Sequence, residues 1–224
     1  MAPLENFIKG FFKFIKTPLN TLTTQIEPHD CIAELSHSII RINNILIDMN
    51  RDIWMYISND LFKLKVIKGE VGSSTMPHKV NPIDFENSEG NLELSNALFT
   101  FFGDKLSKSR LQRDLSDSTV LRNIGVPFGH SYLAIQSLIK GFSKLEVNKE
   151  QSLKELNNNW QILGEAIQTV MKLEGYDDAY EIIKDLTRGE LLTENSYKSL
   201  INSLDISIKS KSKLLKLTPA TYIG

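Results

Sequence analysis

The sequence predicts an all-α protein, in which a bundle of long helices is followed by a smaller helical domain. Apolar residues recur three and four positions apart over many turns, a pattern typical of helices that pack lengthwise on one another. No segment alternates apolar and polar residues like a half-buried strand, and no hairpin turn links two such segments. Both observations favour helices throughout the chain.

The first long helix is predicted to begin near residue 30. Pro28 and Asp30 are suitable start signals, and the helix must end before Gly69 and Gly72. Its apolar positions form a seam that we expect to pack against other long helices. The seam consists of Ile32, Leu35, Ile39, Ile42, Leu46, Met49, Ile53 and Tyr56.

Two further long helices are predicted beyond residue 82. Pro82 suits the first turn of a helix that extends to about Leu106, because an amide is not needed there. The next helix is predicted to be kinked by Pro127, which lies between Gly125 and Gly129. Its apolar positions are Val120, Ile124, Phe128, Tyr132, Ile135, Leu138, Ile139 and Phe142.

Shorter helices are predicted in the last third of the chain. A fourth helix is expected over Lys149–Leu173, and shorter ones over Ala179–Leu186 and Glu194–Leu204. The change from long to short helices predicts a domain boundary near residue 147. We therefore expect a long-helix domain over residues 1–147 and a small helical domain over residues 148–224.

Composition excludes several classes of function. The chain has 26 basic and 27 acidic residues among 224, which argues against nucleic-acid binding through bulk positive charge. No apolar run approaches the roughly 20 residues that span a bilayer, so no membrane partner is expected. Cys31 is the single cysteine, which excludes an intramolecular disulfide and fits a reducing compartment. A cytoplasmic location is the expectation.

Residues 69–82 concentrate the chemistry of the chain. They read Gly-Glu-Val-Gly-Ser-Ser-Thr-Met-Pro-His-Lys-Val-Asn-Pro and provide hydroxyls, backbone amides and a cation close together. Removal of a proton beside a carboxylate creates an electron-rich intermediate that such donors stabilise. The segment therefore predicts a site that acts on a carboxylate substrate.

The decapeptide Ser73–Pro82 resembles the signature loop of the fumarase/aspartase superfamily, whose members eliminate fumarate from a succinyl adduct. His78 within it resembles the adenylosuccinate lyase family, as do residues 23–30 and 112–123. The resemblance runs from about residue 20 to the end and corresponds to the C-terminal half of the family's chain. It implies the long-helix bundle of that superfamily.

The resemblance also implies roles for the signature residues. Ser73 would act as the catalytic base, and Glu86 would pair with a histidine that serves as general acid. Lys79 would stabilise the charge that develops on the substrate. The residues that would contact the substrate are Ser74, Lys79, Val80, Asn81 and Asn87.

A second group of residues suits a phosphate monoester. Arg113 and Arg122 can donate paired hydrogen bonds, and the hydroxyls of Ser118 and Thr119 lie between them in sequence. A segment of this composition also fits an ordinary surface turn. The resemblance implies that this block, together with the backbone at Val120 and Leu121 and with Gln25, holds the nucleotide.

The substrates implied by the resemblance are adenylosuccinate and the succinyl-carboxamide ribotide of purine biosynthesis, from which a carbon–nitrogen lyase releases fumarate by β-elimination. No metal or organic cofactor is implied, and no clustered cysteine and histidine spacing suggests one. His29, His37 and His130 do not stand in the family's general-acid motif and are interpreted as surface or packing residues.

The family takes its general-acid histidine from its N-terminal half and builds its sites from several subunits of a tetramer. We therefore expect that this chain alone is inactive and needs neighbouring chains, either further copies of itself or a complementing N-terminal half. We also expect exposed apolar stripes that promote association. Two alternatives remain: a non-catalytic helical oligomerisation or binding module, and a different lyase of the superfamily.

Overall fold

The computed structural model describes residues 6, 13, 20–65, 81–187 and 192–224, and it confirms the all-α class. The long helices are α1 (Asp30–Ser58), α2 (Ile83–Leu106) and α4 (Gly125–Lys144), and the short α3 (Ser116–Leu121) precedes α4. The remaining helices are α5 (Lys149–Asn157), α6 (Gly164–Leu173), α7 (Ala179–Thr187), α8 (Glu194–Ser203) and α9 (Ile208–Leu214), with a 3₁₀ turn over Trp160–Leu163.

Two short strands were not predicted. Strand β1 (Phe62–Leu64) pairs with β2 (Leu145–Val147) in a two-stranded sheet. Three residues are too few to show an alternating pattern, so the sequence gives no signal for them. The chain divides into two compact units, one comprising Met1–Ser58 with Leu64–Leu145, the other Asn59–Lys63 with Glu146–Gly224.

The first unit is built on α2, which packs against α1 on one side and α4 on another. Apolar side chains fill the contacts, among them Ile47, Leu92, Ala134 and the phenylalanines at 85, 99 and 102. Buried amides and hydroxyls join the same three helices. Asn43 Nδ2 donates to Ser95 Oγ and Ser131 Oγ, each at 3.2 Å, and Asn50 Nδ2 donates to Ser88 Oγ at 3.0 Å.

The predicted seam of α1 is only partly buried. Ile53 is 5% exposed, whereas Leu35 and Ile42 are 49% and 57% exposed. The buried positions instead include Asn43 and Asn50, whose amides have hydroxyl partners on α2. The apolar residues that stay exposed on α1 agree with the expectation of apolar stripes available to further helices.

Two helix predictions need correction. The third helix does not kink at Pro127. The helix is instead interrupted by a turn at residues 122–124, and Pro127 lies in the first turn of α4, where no intrahelical partner exists for an amide. The fourth helix is interrupted at Asn158 and Asn159, since asparagine side chains compete for backbone hydrogen bonds. Helix α2 begins within one residue of its predicted start and ends at Leu106, as predicted.

The second unit has its own apolar core, formed by α6, α7, α8 and α9. Tyr197 is fully buried there and donates its hydroxyl to the Leu214 carbonyl oxygen at 2.9 Å. Thr193 and Ser196 form a capping box that starts α8. In the part of the chain that the structure describes, no helix has the length and apolar character needed to cross a membrane.

Candidate functional site

The predicted site residues fall into two groups at opposite ends of α2. Glu86 lies in the first turn of this helix, whereas Lys105, in its last turn, donates to Ser116 Oγ of α3 at 2.7 Å. The 19 residue steps between Glu86 and Lys105 correspond to about 28 Å along a helix that rises 1.5 Å per residue. The two groups in one chain are therefore too far apart to contact the same atoms of a ligand.

The group at the start of α2 follows directly on the signature loop. Four predicted residues of that loop, Ser73, Ser74, Lys79 and Val80, lie outside the described residues. Asn81 is described and half-buried, and the Pro82 carbonyl accepts the amides of Phe85 and Glu86 at 3.0 and 3.1 Å. These bonds fix the first turn of α2 at the end of the loop.

Glu86 is oriented by α1. The indole nitrogen of Trp54 donates to Glu86 Oε1 at 3.0 Å, and the glutamate is exposed. The sequence did not point to Trp54, and the resemblance implied a histidine as the partner of Glu86. A carboxylate accepts several hydrogen bonds, so Oε2 can still accept one from a neighbouring chain.

The side chain of Asn87 is held by α4. Its Oδ1 accepts from Ser137 Oγ at 2.8 Å and from Asn91 Nδ2 at 3.2 Å. Asn91 Oδ1 in turn lies 2.8 Å from Nδ1 of His130. Because the oxygen of Asn87 accepts these bonds, its amide nitrogen is the group that can donate to a ligand.

Lys144 connects the two flanks of the signature loop. Its ammonium group lies 2.6 Å from Asp84 Oδ2, and its carbonyl oxygen accepts the Lys65 amide at 2.8 Å. Lys65 precedes the segment 69–82 by four positions, and Asp84 follows it by two. The structure therefore brings both ends of the loop to one buried lysine, 3% exposed.

The second group forms where two distant segments of sequence meet. The backbone amide of Gln25 donates to the backbone carbonyl oxygen of Gln112 at 3.4 Å. One residue further, Arg113 Nη2 donates to Ser118 Oγ at 3.4 Å and lies 3.7 Å from Asp117 Oδ2. The structure thus brings together three of the predicted nucleotide-binding residues, Gln25, Arg113 and Ser118.

Two aspartates keep their negative charge beside this group. Burial raises the pKa of the Asp117 carboxyl, but the Ser118 backbone amide, His29 and Arg113 outweigh burial and hold that pKa below its ordinary value. Hydrogen bonds from the Ser116 hydroxyl and backbone amide hold the pKa of Asp114 far below its usual range. The cations nearby are therefore partly balanced by the protein's own carboxylates.

His29 belongs to this group, although from the sequence it was predicted to be a surface or packing residue. Its Nδ1 hydrogen bonds to Glu27 Oε1, and its Nε2 lies 3.6 Å from Asp117 Oδ2. The residue has a φ of 56°, a left-handed conformation that is uncommon outside glycine. Its contact with Asp117 joins residues 88 positions apart, so no local pattern could have revealed it.

The other predicted phosphate-binding residues lie along and just after α3. Thr119 and Arg122 are exposed, and the carbonyls of Val120 and Leu121 accept the amides of Asn123 and Ile124. A polar cavity of about 370 Å³ adjoins the same block. It is lined by Lys105, Lys108, Ser109, Arg110, Asp114 and Ser116, not by Arg113 or Ser118. The described residues contain no group of three metal-ligating side chains placed to hold an ion.

Comparison with known proteins gives the family. The family model "Adenylosuccinate lyase C-terminal" matches residues 109–223, and the model "Lyase" matches residues 3–94. The adenylosuccinate lyase of Legionella pneumophila (strain Corby) is 58% identical over 96% of this chain and 47% of the relative. That of Escherichia coli (strain K12) is 54% identical over 98% of this chain and 48% of the relative. The chain thus spans about half the length of these relatives.

A solved structure supports the architecture. The class II fumarase of Schistosoma mansoni superposes with a TM-score of 0.63 at 17% sequence identity, over 96% of this chain and 47% of the fumarase chain. At that identity the similarity concerns the fold alone. The predicted long-helix bundle of the fumarase/aspartase type is confirmed.

Proposed function

This chain belongs to the adenylosuccinate lyase family, and we propose that it supplies the C-terminal half of a lyase that eliminates fumarate from adenylosuccinate and from the succinyl-carboxamide ribotide of purine biosynthesis. Family models match residues 3–94 and 109–223 of the chain, which spans about half the length of its relatives. No cofactor enters the proposed reaction.

One observation carries the nucleotide part of the proposal. The two segments that resemble the family, residues 23–30 and 112–123, meet at two points: the Gln25 backbone amide donates to the Gln112 carbonyl oxygen, and His29 contacts the Asp117 carboxylate. Arg113 and Ser118 lie together there, and a guanidinium beside a hydroxyl suits a phosphate monoester. We assign phosphate binding to Arg113, Ser118, Thr119 and Arg122, with the backbone of Val120 and Leu121 and with Gln25.

The elimination is assigned to the signature loop and to the start of α2. Ser73 takes the proton from the carbon beside the substrate carboxylate, and the electron pair forms the double bond of fumarate. The carbon–nitrogen bond breaks, and the leaving nitrogen takes a proton from a histidine that Glu86 holds. Lys79 stabilises the charge that develops on the carboxylate side. Contacts to the succinyl group are assigned to Ser74, Val80, Asn81 and Asn87.

The separation along α2 supports a site shared between chains. About 28 Å lies between the Glu86 end and the Lys105 end of α2, so one substrate cannot use Glu86 and Arg113 of the same chain. Association with other chains brings the two ends of different helices together, and the exposed apolar side chains of α1 offer a surface for it. We propose that copies of this chain associate, as a tetramer in the way of the family, or that a complementing N-terminal half supplies the missing contacts.

The test is fumarate release from adenylosuccinate. The purified chain is assayed alone and after mixing with a separately produced N-terminal half of the Escherichia coli relative, with assembly verified by light scattering. We expect activity in the mixture and none in the chain alone, and Ser73→Ala should abolish it. Robust activity of the chain alone contradicts the requirement for an N-terminal half.

The same experiment separates the alternatives. No turnover by a mixture that has assembled would favour the non-catalytic helical binding module that exposed apolar faces also suit. A panel with argininosuccinate and malate distinguishes another lyase of the superfamily. The cytoplasmic location stays a prediction.

A further inference from the structure

Each ring nitrogen of His29 faces a carboxylate from a different segment. Nδ1 hydrogen bonds to Glu27 on the approach to α1, and Nε2 lies 3.6 Å from Asp117 Oδ2 in the first turn of α3. The side chain of His29 is 10% exposed, and that of Asp117 is 11% exposed. The imidazole therefore fills the space between the two predicted nucleotide-binding segments.

Asp117 is in turn placed between His29 and Arg113. Its Oδ2 lies 3.6 Å from the ring nitrogen and 3.7 Å from Arg113 Nη2, while its Oδ1 accepts the Ser118 amide at 2.7 Å. A buried carboxylate is stable only with such neighbours. The Asp117 carboxylate therefore lies between the imidazole and the guanidinium and contacts both.

Three polar atoms in this cluster are buried without a hydrogen-bond partner: His29 Nε2, Asp117 Oδ2 and Arg113 Nε. Two of them, His29 Nε2 and Asp117 Oδ2, face each other at 3.6 Å. Buried polar atoms in proteins nearly always have partners, so Arg113 Nε is the atom of this cluster that a ligand would satisfy. Arg113 Nε and its neighbouring Nη can donate two parallel bonds to a phosphate. A phosphate bound to Arg113 would weaken the ion pair between the guanidinium and Asp117. The imidazole of His29 would still stabilise the Asp117 carboxylate.

We propose that His29 is a positioning residue for nucleotide binding: it holds Asp117 so that the Arg113 guanidinium presents its Nε edge to the phosphate. His29 itself touches no substrate. The inference rests on the proposed function, because it assigns the phosphate to Arg113.

Two substitutions at this position separate positioning from stability. His29→Asn keeps a donor for Glu27 but cannot reach Asp117, whereas His29→Gln reaches Asp117 and loses the bond to Glu27. At a φ of 56° asparagine is tolerated better than glutamine, so the Asn variant should be the more stable of the two. If His29 acts by positioning, the Gln variant should bind nucleotide more tightly than the Asn variant, although it is the less stable of the two.

The experiment uses the chain assembled with the N-terminal half of the Escherichia coli relative. The Kd of AMP is measured by equilibrium dialysis, and KM and kcat by fumarate release from adenylosuccinate. We expect His29→Asn to raise Kd and KM about tenfold with kcat nearly unchanged, and His29→Gln to stay within about twofold of the wild type. His37→Asn, the same change at an exposed histidine of α1, is the control and should leave Kd and KM unchanged.

Each outcome decides the matter. If affinity for AMP follows stability, with the Asn variant near wild type and the Gln variant weaker, His29 has a structural role only and the inference is wrong. Equal affinities in the wild type and both variants overturn the inference while leaving the proposed function intact. A wild-type assembly that binds no AMP overturns both.

Discussion

The ammonium group of Lys144, at the end of α4, lies 2.6 Å from the carboxylate of Asp84, in the first turn of α2, and the two side chains are 4% and 13% exposed. The Lys144 carbonyl also accepts the Lys65 amide. A nearly buried ion pair thus holds the chain on both sides of the signature loop. Loss of Lys144 would leave the largely buried Asp84 carboxylate with the exposed Lys140, at 3.5 Å, in place of a buried partner.

We therefore expect Lys144→Met to lower the free energy of unfolding by about 3 kcal/mol, measured by urea denaturation. Lys140→Met is the matched control on the same helix. Lys140 Nζ lies 3.5 Å from Asp84 and the side chain is 56% exposed, so its loss should cost less than about 1 kcal/mol. Equal losses in the two variants would show that burial of Lys144 does not matter.

Gly141 of α4 provides a packing test. A Cβ at this position would lie 2.8 Å from Cζ of Phe85. Phe85 is 1% exposed, and its ring also contacts Phe142 edge to face. Gly141→Ala should lower stability by about 1 to 3 kcal/mol through overpacking. Gly129→Ala in the same helix meets no atom within 4 Å and should instead stabilise by about 0.5 kcal/mol. Thermal unfolding of both variants measures the difference.

Alkaline stability should depend on Tyr197. Burial raises the pKa of its hydroxyl from 10.0 to about 12. Because the folded-state pKa is the higher one, the stability that the neutral Tyr197 hydroxyl contributes is fully present below pH 10 and is lost as the pH rises towards 12. Urea unfolding across that window should show a decline in the free energy of unfolding. Tyr197→Phe should show a smaller decline, and at neutral pH should lose about 1 kcal/mol with the bond to Leu214.

Glu86→Gln tests the catalytic assignment. In the assembled lyase we expect kcat for adenylosuccinate to fall about a hundredfold with little change in KM, since the amide no longer supports a charged histidine. Glu89→Gln is the control on the next turn, because Glu89 accepts from Arg51 at 2.6 Å and has no assigned role in catalysis. A similar loss of kcat in both variants would mean that the Glu86 effect is not specific.

The sequence predicted the parts of the fold that local chemistry determines. Helix α2 could be placed because Pro82 marks its start and an unbroken pattern extends to Leu106. The break after Asn157 was missed, because the apolar spacing continues through it while the asparagines favour a turn. Exposed apolar stripes were expected, but the sequence could not say that Leu35 and Ile42 are among the exposed positions, since periodicity gives the apolar face and not what covers it.

In the candidate site, too, the sequence predicted the residues of local motifs but not the contacts that depend on tertiary packing. Motif residues such as Arg113 and Ser118 were identified from the sequence, and the structure places them together. Trp54 and His29 were not singled out, because their contacts with Glu86 and Asp117 join residues far apart in the chain. Only tertiary packing reveals such partners.

The buried amides of Asn43 and Asn50 have a consequence for helix register. They lie seven residues apart and bond to hydroxyls on α2, so a slide of α1 by one turn would leave both amides buried without partners. Longitudinal alignment of the two helices is therefore fixed by polar pairing, where apolar contacts alone would permit a shift. Trp54 consequently stands opposite Glu86 because of two amides that themselves contact neither residue.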